Sequence, residues 1–557
     1  MSARSGAHVL LEALKAEGVD TIFGIPGGAV IPILDALYDE PDLRFVLMRH
    51  EQGAGHAADG YARATGRVGV CLATSGPGAT NLVTALATAN FDSVPMVAIT
   101  GQVKTHLIGN DAFQEADITG IARPCTKHTY LVRDVDRLGE TLRAAFHIAR
   151  TGRPGPVLVD IPSDVSVATT DVPLPDRADL PAYNPVVKGT RRQIKRAAEA
   201  INEAQRPLLY VGGGVILAGA SDLLRQVAEK ASIPVTTTLM ALGAFPEDHP
   251  LSLKMLGMHG TAYANYAVQE SDLLIAVGAR FDDRITGDVS TFAPHARILH
   301  VDVDPTSISK NIGVDIPVVG DAADVLAGLL ERVEERDRSA WLEQIGAWKQ
   351  QHPLTYDEHG LRPQYVVQQV CEASGGKAIV TTEVGQNQMW AAQWFTHRYP
   401  RHFLTSGGLG TMGYGFPAAV GAQAGMPDAI VVDVAGDGSI QMNIQELAPA
   451  VYNKIPVKIC ILNNGYLGMV RQWQELFYKK RYSATELTGN PDFVRVAEAY
   501  GAKGRRVTER DDVRPALDEA FADRDVWVLD FHVEKEENVF PMVPAGEAID
   551  RMIGGMA

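Results

Sequence analysis

Oxygen-bearing side chains follow two apolar runs in the last third of the chain. A Gly-Asp-Gly-Ser motif spans residues 436–439, and an Asn-Asn pair ends at Asn464 after the next apolar run. Mg²⁺ prefers hard oxygen ligands and usually shares them with a phosphate. The Asp437 carboxylate and the Asn464 amide oxygen suit that ion, and the glycines let the backbone approach a diphosphate. Each motif alone is equally typical of a turn, but together, each after a strand, they predict a magnesium and diphosphate site.

A Gly-rich segment offers an alternative interpretation of the same region. Residues 408–413 read Gly-Leu-Gly-Thr-Met-Gly after the short apolar pair Phe403-Leu404, and Asp433 lies about twenty residues further on. This pattern is also that of a nicotinamide dinucleotide site, in which a free acidic residue binds the ribose. Asp433, however, lies inside an apolar run that leads into the Gly-Asp-Gly motif. We therefore disfavour the nicotinamide interpretation.

A glutamate near the N-terminus is the candidate proton-transfer group. Glu51 lies in an Arg-His-Glu-Gln-Gly-Ala segment that follows the strand-like run Phe45–Met48. An isolated Glu is far more often a surface residue or a helix-start acid. The next strand-like run is followed by Ser-Gly-Pro-Gly-Ala-Thr-Asn at residues 75–81, and the two segments together favour a functional role for Glu51.

These segments together resemble the thiamine diphosphate-dependent enzymes. In that family the glutamate hydrogen-bonds the cofactor's aminopyrimidine, and it works best when apolar surroundings raise its pKa. The resemblance implies that Asp437, Asn464 and the backbone carbonyl of Tyr466 bind Mg²⁺, and that Met412 supports the bent cofactor. It implies further contacts to thiamine diphosphate from Pro77, Asn81, Gly385, Gln386, Gly410, Gly438, Ser439 and Met469.

Within this family the chain resembles the acetohydroxyacid synthases, over about residues 8–545. The similar segments include residues 23–29, 108–115 and 152–157. The resemblance implies that Phe113 and Gln114 line the active site. It also implies decarboxylation of pyruvate and transfer of the two-carbon unit to pyruvate or 2-oxobutanoate, which gives 2-acetolactate or 2-aceto-2-hydroxybutanoate for branched-chain amino-acid synthesis. Glyoxylate carboligase lacks the glutamate and is disfavoured.

The middle of the chain resembles the FAD-binding segments of this family, where FAD does no net redox work. Glycines permit close approach of the backbone, and arginines can meet a pyrophosphate. Singly, each of these residues is better explained as a helix cap or a surface ion pair, but as an ordered set they favour FAD. The implied FAD contacts are Arg153, Gly212, Gly213, Thr238, Leu239, Leu256, Gly257, His259, Gly278, Arg280, Arg284, Asp302, Asp321 and Ala322.

The same resemblance identifies one residue that governs specificity and three positions at which this sequence differs from the family. Trp473 stands where the family's tryptophan favours 2-oxobutanoate by packing on its extra methyl group, and one methylene is worth roughly 1–3 kcal/mol. Ser163, His106 and Asn387 stand where the family carries Lys, often Arg, and His. We expect Ser163 and His106 to weaken inhibitor binding and alter substrate entry, and Asn387 still to donate a hydrogen bond to phosphate.

The elements that must position these residues alternate between strand and helix. Short, continuous apolar runs predict parallel strands covered by helices on both faces. The runs are Val68–Ala73, Val94–Thr100, Val157–Ile161, Pro207–Val211, Leu273–Val277, Ile298–Val303, Ala429–Val434 and Val457–Leu462.

Polar stretches at about Asp171–Lys188 and Glu331–Pro363 are interpreted as linkers. They divide the chain into three doubly wound α/β domains. By resemblance these are a pyrimidine-binding domain at 1–165, an FAD-binding domain at 190–325 and a diphosphate- and Mg²⁺-binding domain at 365–557.

Composition excludes several classes of protein. The 557 residues carry a formal charge of -16 and show no basic stripe, so nucleic acid is not expected as a partner. No run of apolar residues is long enough to span a membrane, and Lys15 and Glu17 interrupt any secretory signal. The four cysteines form no Cys-x-x-Cys motif, which favours a reducing compartment, and a cytoplasmic location is expected.

The resemblance also sets expectations for partners and rivals. It implies that Glu51 and Asp437 meet across a subunit interface in a homodimer, often a tetramer, with a possible small regulatory subunit. The alternatives are pyruvate oxidase and another thiamine-dependent 2-oxo acid lyase such as sulfoacetaldehyde acetyltransferase, which differ in their products. A non-enzymatic role is disfavoured because Glu51, Asp437 and Asn464 are all present.

Overall fold

Three parallel six-stranded sheets form the computed structural model, which describes residues 3–554. Helices lie between most successive strands of each sheet. This confirms the predicted class of three doubly wound α/β domains. All eight apolar runs named above contain or overlap a strand, because a parallel strand covered on both faces must be apolar along its length.

The first sheet lies in the N-terminal block. This block contains β1 (Arg4–Ser5), α1 (Gly6–Ala16), β2 (Thr21–Gly24), α2 (Ile31–Leu37), β3 (Arg44–Leu47), α3 (Glu51–Thr65), β4 (Gly69–Ala73), α4 (Pro77–Thr80), α5 (Val83–Phe91), β5 (Met96–Gln102), α6 (Ile118–Ala122), β6 (His128–Leu131), α7 (Leu138–Arg150), β7 (Pro156–Pro162), α8 (Ser163–Val167) and β8 (Thr169–Thr170). The sheet order is β3-β2-β4-β5-β7-β6, and β1 pairs antiparallel with β8.

The middle sheet has a different strand order. Its block contains α9 (Arg191–Glu203), β9 (Pro207–Val211), α10 (Gly214–Leu217), α11 (Ser221–Ala231), β10 (Val235–Thr237), β11 (Ser252–Met255), α12 (Ala262–Glu270), β12 (Leu273–Val277), α13 (Asp283–Thr286), β13 (Arg297–Asp302), β14 (Ile316–Val319) and α14 (Ala322–Leu330). The order β11-β10-β9-β12-β13-β14 is that of dinucleotide-binding folds, with a topological switch point between β9 and β12.

The second predicted linker, Glu331–Pro363, is not wholly irregular. It contains α15 (Ser339–Gln351), which packs against α12. Trp341 and Ile345 of this helix are buried, and the Trp341 indole N–H donates to the carbonyl of Pro207 at 3.1 Å. The interpretation as a linker was wrong for this helix because its charged residues mask a narrow apolar stripe.

The last sheet repeats the order of the first. Its block contains α16 (Pro363–Ala373), β15 (Ile379–Thr382), α17 (Gln386–Trp394), β16 (Phe403–Leu404), α18 (Gly415–Gly425), β17 (Val431–Gly436), α19 (Leu447–Tyr452), β18 (Lys458–Asn463), α20 (Gly468–Phe477), α21 (Phe493–Ala499), β19 (Lys503–Val507), α22 (Val513–Ala522) and β20 (Trp527–His532). The order is β16-β15-β17-β18-β20-β19, so the switch point lies between β15 and β17.

Helices α3 and α18 join the first and last blocks at very close range. A Cβ atom on Gly60 would overlap the carbonyl oxygen of Ala418, and one on Gly421 would overlap that of Ala57. Glycine is required on both helices because the backbones touch. Among the described residues no helix is long and apolar enough to cross a membrane.

Replacing Gly421 tests this contact. Gly421→Ala places a methyl group against the Ala57 carbonyl, and we expect a loss of about 1–3 kcal/mol of stability. Gly346→Ala in α15 is the control, since nothing lies within 4 Å of its added Cβ, and it should gain up to about 1 kcal/mol. Thermal unfolding of both variants measures the difference; equal midpoints would contradict the close contact.

Candidate functional site

A pocket opens where β15, β17 and β18 end, at the switch point of the last sheet. Open parallel sheets bind ligands in such crevices, outside the carboxyl ends of their strands. The predicted residues that line this pocket are Gly385, Gln386, Asn387, Met412, Asp437, Gly438, Ser439, Asn464, Tyr466 and Met469. The structure thus brings together residues from four separate segments of the chain.

Asp437 contributes a buried carboxylate at the end of β17. Its side chain is almost wholly inaccessible, and one carboxylate oxygen accepts a hydrogen bond from Asn490 Nδ2 at 2.6 Å. Burial raises the pKa of Asp437 to about 6. A cation beside this group would offset the cost of burying its charge.

Asn464 supplies the second oxygen. Its Nδ2 donates to Gln386 Oε1 at 3.2 Å, and its Oδ1 accepts from the backbone N–H of Tyr466 at 3.1 Å. Gln386 is itself held by Gln472 Oε1 at 2.9 Å, so the orientation of the Asn464 amide is determined by its neighbours. The carboxylate, the amide oxygen and the Tyr466 carbonyl form a donor set that fits Mg²⁺.

The close packing of the pocket walls requires glycine at two positions. A Cβ atom on Gly468 would overlap the Gln386 side chain, and one on Gly438 would lie 2.6 Å from Leu467 Cδ2. Gly385, at the start of α17, has a φ of 155°. Backbone can therefore approach a diphosphate closely here, and the residues present fit that group.

The expected hydrogen bond from Asn387 to phosphate was wrong in this conformation. Asn387 Nδ2 donates to the carbonyls of Glu383 at 2.9 Å and Val434 at 2.8 Å. Both amide hydrogens are used within the protein, so the side chain ties α17 to β17 and has no donor left for a ligand.

Glu383 is a site residue that the sequence analysis missed. Its buried carboxyl group accepts from Ser439 Oγ at 2.6 Å, from Gly413 N at 2.8 Å and from Phe416 N at 3.1 Å. It therefore holds the Gly-Asp-Gly turn against the loop that carries Met412. No local motif marks it; only its position just after β15 could have suggested a role.

Asp433 does not serve as a ribose ligand. It is fully buried within β17, and its Oδ1 accepts from Thr381 Oγ1 at 3.1 Å. Burial, together with the neighbouring Glu383 carboxyl, raises the pKa of Asp433 well above its usual range. A side chain buried within the sheet cannot reach a ribose hydroxyl, which excludes the nicotinamide interpretation based on this residue.

Glu51 begins helix α3 and faces a different part of the molecule. Its Oε2 accepts from Asn81 Nδ2 at 2.9 Å, and a Cβ on Gly78 would lie 3.2 Å from its Oε1. Pro77 begins α4 directly beside these residues. Among the described residues, neither Glu51 nor Asn81 lines the pocket that contains Asp437.

Phe113 and Gln114 lie exposed on a loop of the single chain. The Phe113 side chain is 87% exposed, and Gln114 adopts a left-handed φ of 58° beside Gly76. Trp473 follows Met469 by one turn of α20 and packs on Phe477 with ring centroids 5.4 Å apart. Met469 lines the pocket described above. Trp473, four residues later, lies on the same face of α20.

A second cleft lies at the switch point of the middle sheet, against the first block. The predicted FAD residues lining it are Arg153, Gly213, Gly278, Arg280, Asp302, Asp321 and Ala322. Arg153 donates to Ser93 Oγ at 2.8 Å and lies 3.6 Å from Asp304. The site of a dinucleotide in this strand order is this same crevice.

The other predicted FAD residues lie around this cleft or apart from it. Gly212 packs so closely on Gly278 that a Cβ would overlap the Gly278 carbonyl, which gives the glycine a structural reason. Thr238 and Leu239 lie on the adjoining turn after β10. Leu256, Gly257, His259 and Arg284 form a separate group beyond β11 that does not line the cleft.

Ser163 and His106, two of the three positions that depart from the family pattern, lie close together in space. Asp164, next to Ser163, accepts from the backbone N of Thr105 at 3.0 Å and from its Oγ1 at 2.5 Å. These bonds bring the segment of His106 against the start of α8. Ser163 and His106 therefore belong to one surface region.

Family comparisons match all three blocks. The thiamine pyrophosphate enzyme N-terminal TPP binding domain matches residues 4–121, the central domain matches 194–329, and the C-terminal TPP binding domain matches 383–531. The class of protein that the fold and site define is therefore the thiamine pyrophosphate enzymes.

Individual relatives narrow that class. The acetolactate synthase large subunit of Corynebacterium glutamicum is 54% identical over 98% of this chain and 89% of its own. A probable acetolactate synthase large subunit of Methanocaldococcus jannaschii is 51% identical over 98% and 95%, and the Haemophilus influenzae large subunit is 48% identical over 99% and 98%. The chain belongs to the acetolactate synthases of the thiamine pyrophosphate enzyme family.

Glu446 links the last block to the start of α3 and was also missed from the sequence. Its buried carboxyl group accepts from the backbone N–H groups of His50 at 3.0 Å and Arg49 at 3.1 Å. Those residues directly precede Glu51. Burial raises the pKa of Glu446 to about 7.

Glu446→Gln tests this link through its pH dependence. Because the folded state holds the Glu446 proton more tightly than the unfolded state, stability should fall as pH rises from 4.5 to about 7. The Gln side chain of the variant does not titrate, so the thermal midpoint of the variant should fall less over the same pH interval. Glu343→Gln, on the exposed face of α15, should behave like the parent chain; an identical pH dependence in all three proteins would refute the assignment.

Proposed function

We propose that this acetolactate synthase binds thiamine diphosphate and Mg²⁺ in the pocket at the end of β17. The observation that supports this proposal is that Asp437, Asn464 and Tyr466 line one pocket at the switch point of the last sheet. The reaction decarboxylates pyruvate and joins the two-carbon unit to pyruvate or 2-oxobutanoate. The proposed domains are 1–165 for the pyrimidine end, 190–325 for FAD and 365–557 for diphosphate.

The protein's own groups bind, orient and move protons around that cofactor. When bound, thiamine diphosphate supplies the carbon that adds to the 2-oxo acid and the electron sink for decarboxylation. Asp437 and Asn464 would hold the metal, and Met412 and Met469 would form the apolar walls. Asn81 holds one oxygen of Glu51 and leaves Oε1 to exchange a proton with the pyrimidine end.

FAD in the middle cleft is part of the proposal. The strand order supports a dinucleotide at this cleft, which Gly213, Gly214 and Gly278 line. Arg153 and Arg280 lie at this cleft and carry charges that suit a pyrophosphate. Pyruvate oxidase remains the alternative, and detection of peroxide or acetyl phosphate would favour it.

We also propose that the active unit is at least a homodimer in which Glu51 of one copy completes the pocket of the other. The separation of Glu51 from the Asp437 pocket and the exposure of Phe113 support a partner face. The relatives are named large subunits, which supports a small regulatory subunit. Four free cysteines support a reducing compartment such as the cytoplasm.

The direct test is turnover of pyruvate by the purified chain with thiamine diphosphate, Mg²⁺ and FAD. We expect 2-acetolactate as product, and we expect Glu51→Gln to lower the rate by about 10²-fold or more, because proton transfer is lost. Glu343→Gln is the matched control and should keep full activity. Acetolactate formed equally fast by both variants would remove Glu51 from the mechanism, and another product would overturn the proposed reaction.

Trp473 should govern the choice of acceptor. In Trp473→Leu we expect the preference for 2-oxobutanoate over pyruvate to fall by about 10-fold or more, because the contact with one methylene is lost. Competition between the two acceptors, with products quantified by chromatography, measures the ratio. Phe477→Leu, which alters only the ring packed on Trp473, should change it less; equal effects would assign the specificity to packing of the helix.

A further inference from the structure

A third cleft, of about 990 Å³, opens between the middle and last blocks. It is formed by the loop before β11, by α12 and α15, and by the ends of α16 and α17. Its lining includes Glu247, Lys254, Tyr263, Lys349 and Arg398. It shares no residue with the thiamine or FAD clefts.

Two ammonium groups on this lining, those of Lys254 and Lys349, form no ion pair within 4 Å in the part of the chain that the structure describes. Lys349 Nζ donates to the carbonyls of Ser252 at 2.6 Å and Pro250 at 3.3 Å. Burial, and then the charge of nearby Lys254, lowers the pKa of Lys349. Burial raises the pKa of the nearby Glu247 carboxyl to about 7, and the charge of Lys254 opposes that rise. Two neighbouring cations that have no carboxylate in ion-pair contact favour an anionic ligand.

A buried carboxyl group with an unused oxygen lies beside them. Glu247 Oε2 accepts from the backbone N–H of His397 at 3.0 Å, and the Glu247 N–H donates back to the His397 carbonyl at 3.0 Å. Glu247 Oε1 is buried and has no hydrogen-bond partner among the described residues. An unpaired buried oxygen is costly, and a donor on a ligand would satisfy it.

The backbone holds Lys254 in a strained position. Its φ is 58°, in the left-handed region that residues other than Gly and Asn rarely adopt. Ser252 Oγ accepts from its N–H at 3.2 Å, and Thr236 Oγ1 donates to its carbonyl at 2.9 Å. Such strain persists where the surroundings impose it and is common in binding sites.

Two further cationic groups around the cleft have carboxylate partners. Arg398 Nε lies 2.6 Å from Asp248, and His249 Nε2 lies 3.3 Å from Glu229. Glu372 also lines the cleft and accepts from Gln369 Nε2 at 2.8 Å. The groups that we assign to a ligand are therefore Lys254, Lys349 and Glu247. These groups offer two cations and one hydrogen-bond acceptor.

We propose that this cleft binds a small organic acid that carries an ammonium or hydroxyl group beside its carboxylate. The carboxylate lies against Lys254 and Lys349, and the ammonium or hydroxyl group donates to Glu247 Oε1. The site is separate from the reaction proposed above, so neither depends on the other.

Calorimetry with the full chain, loaded with thiamine diphosphate and Mg²⁺, tests this site. The probes are L-alanine and L-lactate, which carry both groups, and propionate and propylamine, which carry one each. We expect L-alanine or L-lactate to bind, and the two single-group probes to bind about tenfold more weakly or not at all, since each lacks a charged or polar contact. Whichever of L-alanine and L-lactate binds more tightly shows whether the group that donates to Glu247 is an ammonium or a hydroxyl.

Variants assign the contacts. Lys254→Gln keeps the length of the side chain and should weaken binding of the best probe by about tenfold, the effect of one lost charge-assisted contact. Glu247→Gln should reduce the ratio of the affinity for that probe to the affinity for propionate. Lys310→Gln, an exposed lysine away from the cleft, is the control. Absence of binding by L-alanine and L-lactate, equal affinity for propionate, or unchanged affinity in Lys254→Gln would each overturn the proposal.

Discussion

The carboxyl group of Glu383 holds together the segments that form the pocket at the end of β17. It accepts hydrogen bonds from the Gly-Asp-Gly-Ser turn, from the loop that carries Met412 and from the start of α18. A buried carboxyl group is tolerated only when its oxygens are hydrogen-bonded. Loss of Glu383 would leave several buried donors without a partner, and the walls of the pocket would separate.

Buried acids act in the same way elsewhere in the chain. Glu446 joins the last block to the residues before Glu51, and Asp160 accepts from Thr100 Oγ1 at 2.7 Å and Gln102 Nε2 at 3.0 Å within the first sheet. Burial raises the pKa of both acids to about 7. The Glu446 contact, with the close packing of α3 on α18, holds the start of α3 against the last block.

Strand order explains where the clefts of the middle and last sheets lie. The first and last sheets share one order, and the middle sheet has the order of dinucleotide-binding folds. In the middle and last sheets, the cleft opens where the connections that follow two neighbouring strands run to opposite faces of the sheet. Loops ending strands that are distant in sequence meet there, which is how Gly213 and Gly278, or Gly385 and Asp437, come to line one cleft.

The sequence by itself determined the strands, the glycine turns and the local motifs around Asp437, Asn464 and Glu51. Continuous apolar runs and turn residues act over a few neighbours, so their spacing can be interpreted directly. The roles of Glu383, Glu446 and Asn387, the helix within the second predicted linker and the cleft at Lys254 were decided by the tertiary structure. Each depends on groups far apart in the chain, such as Glu446 and His50, whose proximity results from packing of whole domains and leaves no local pattern.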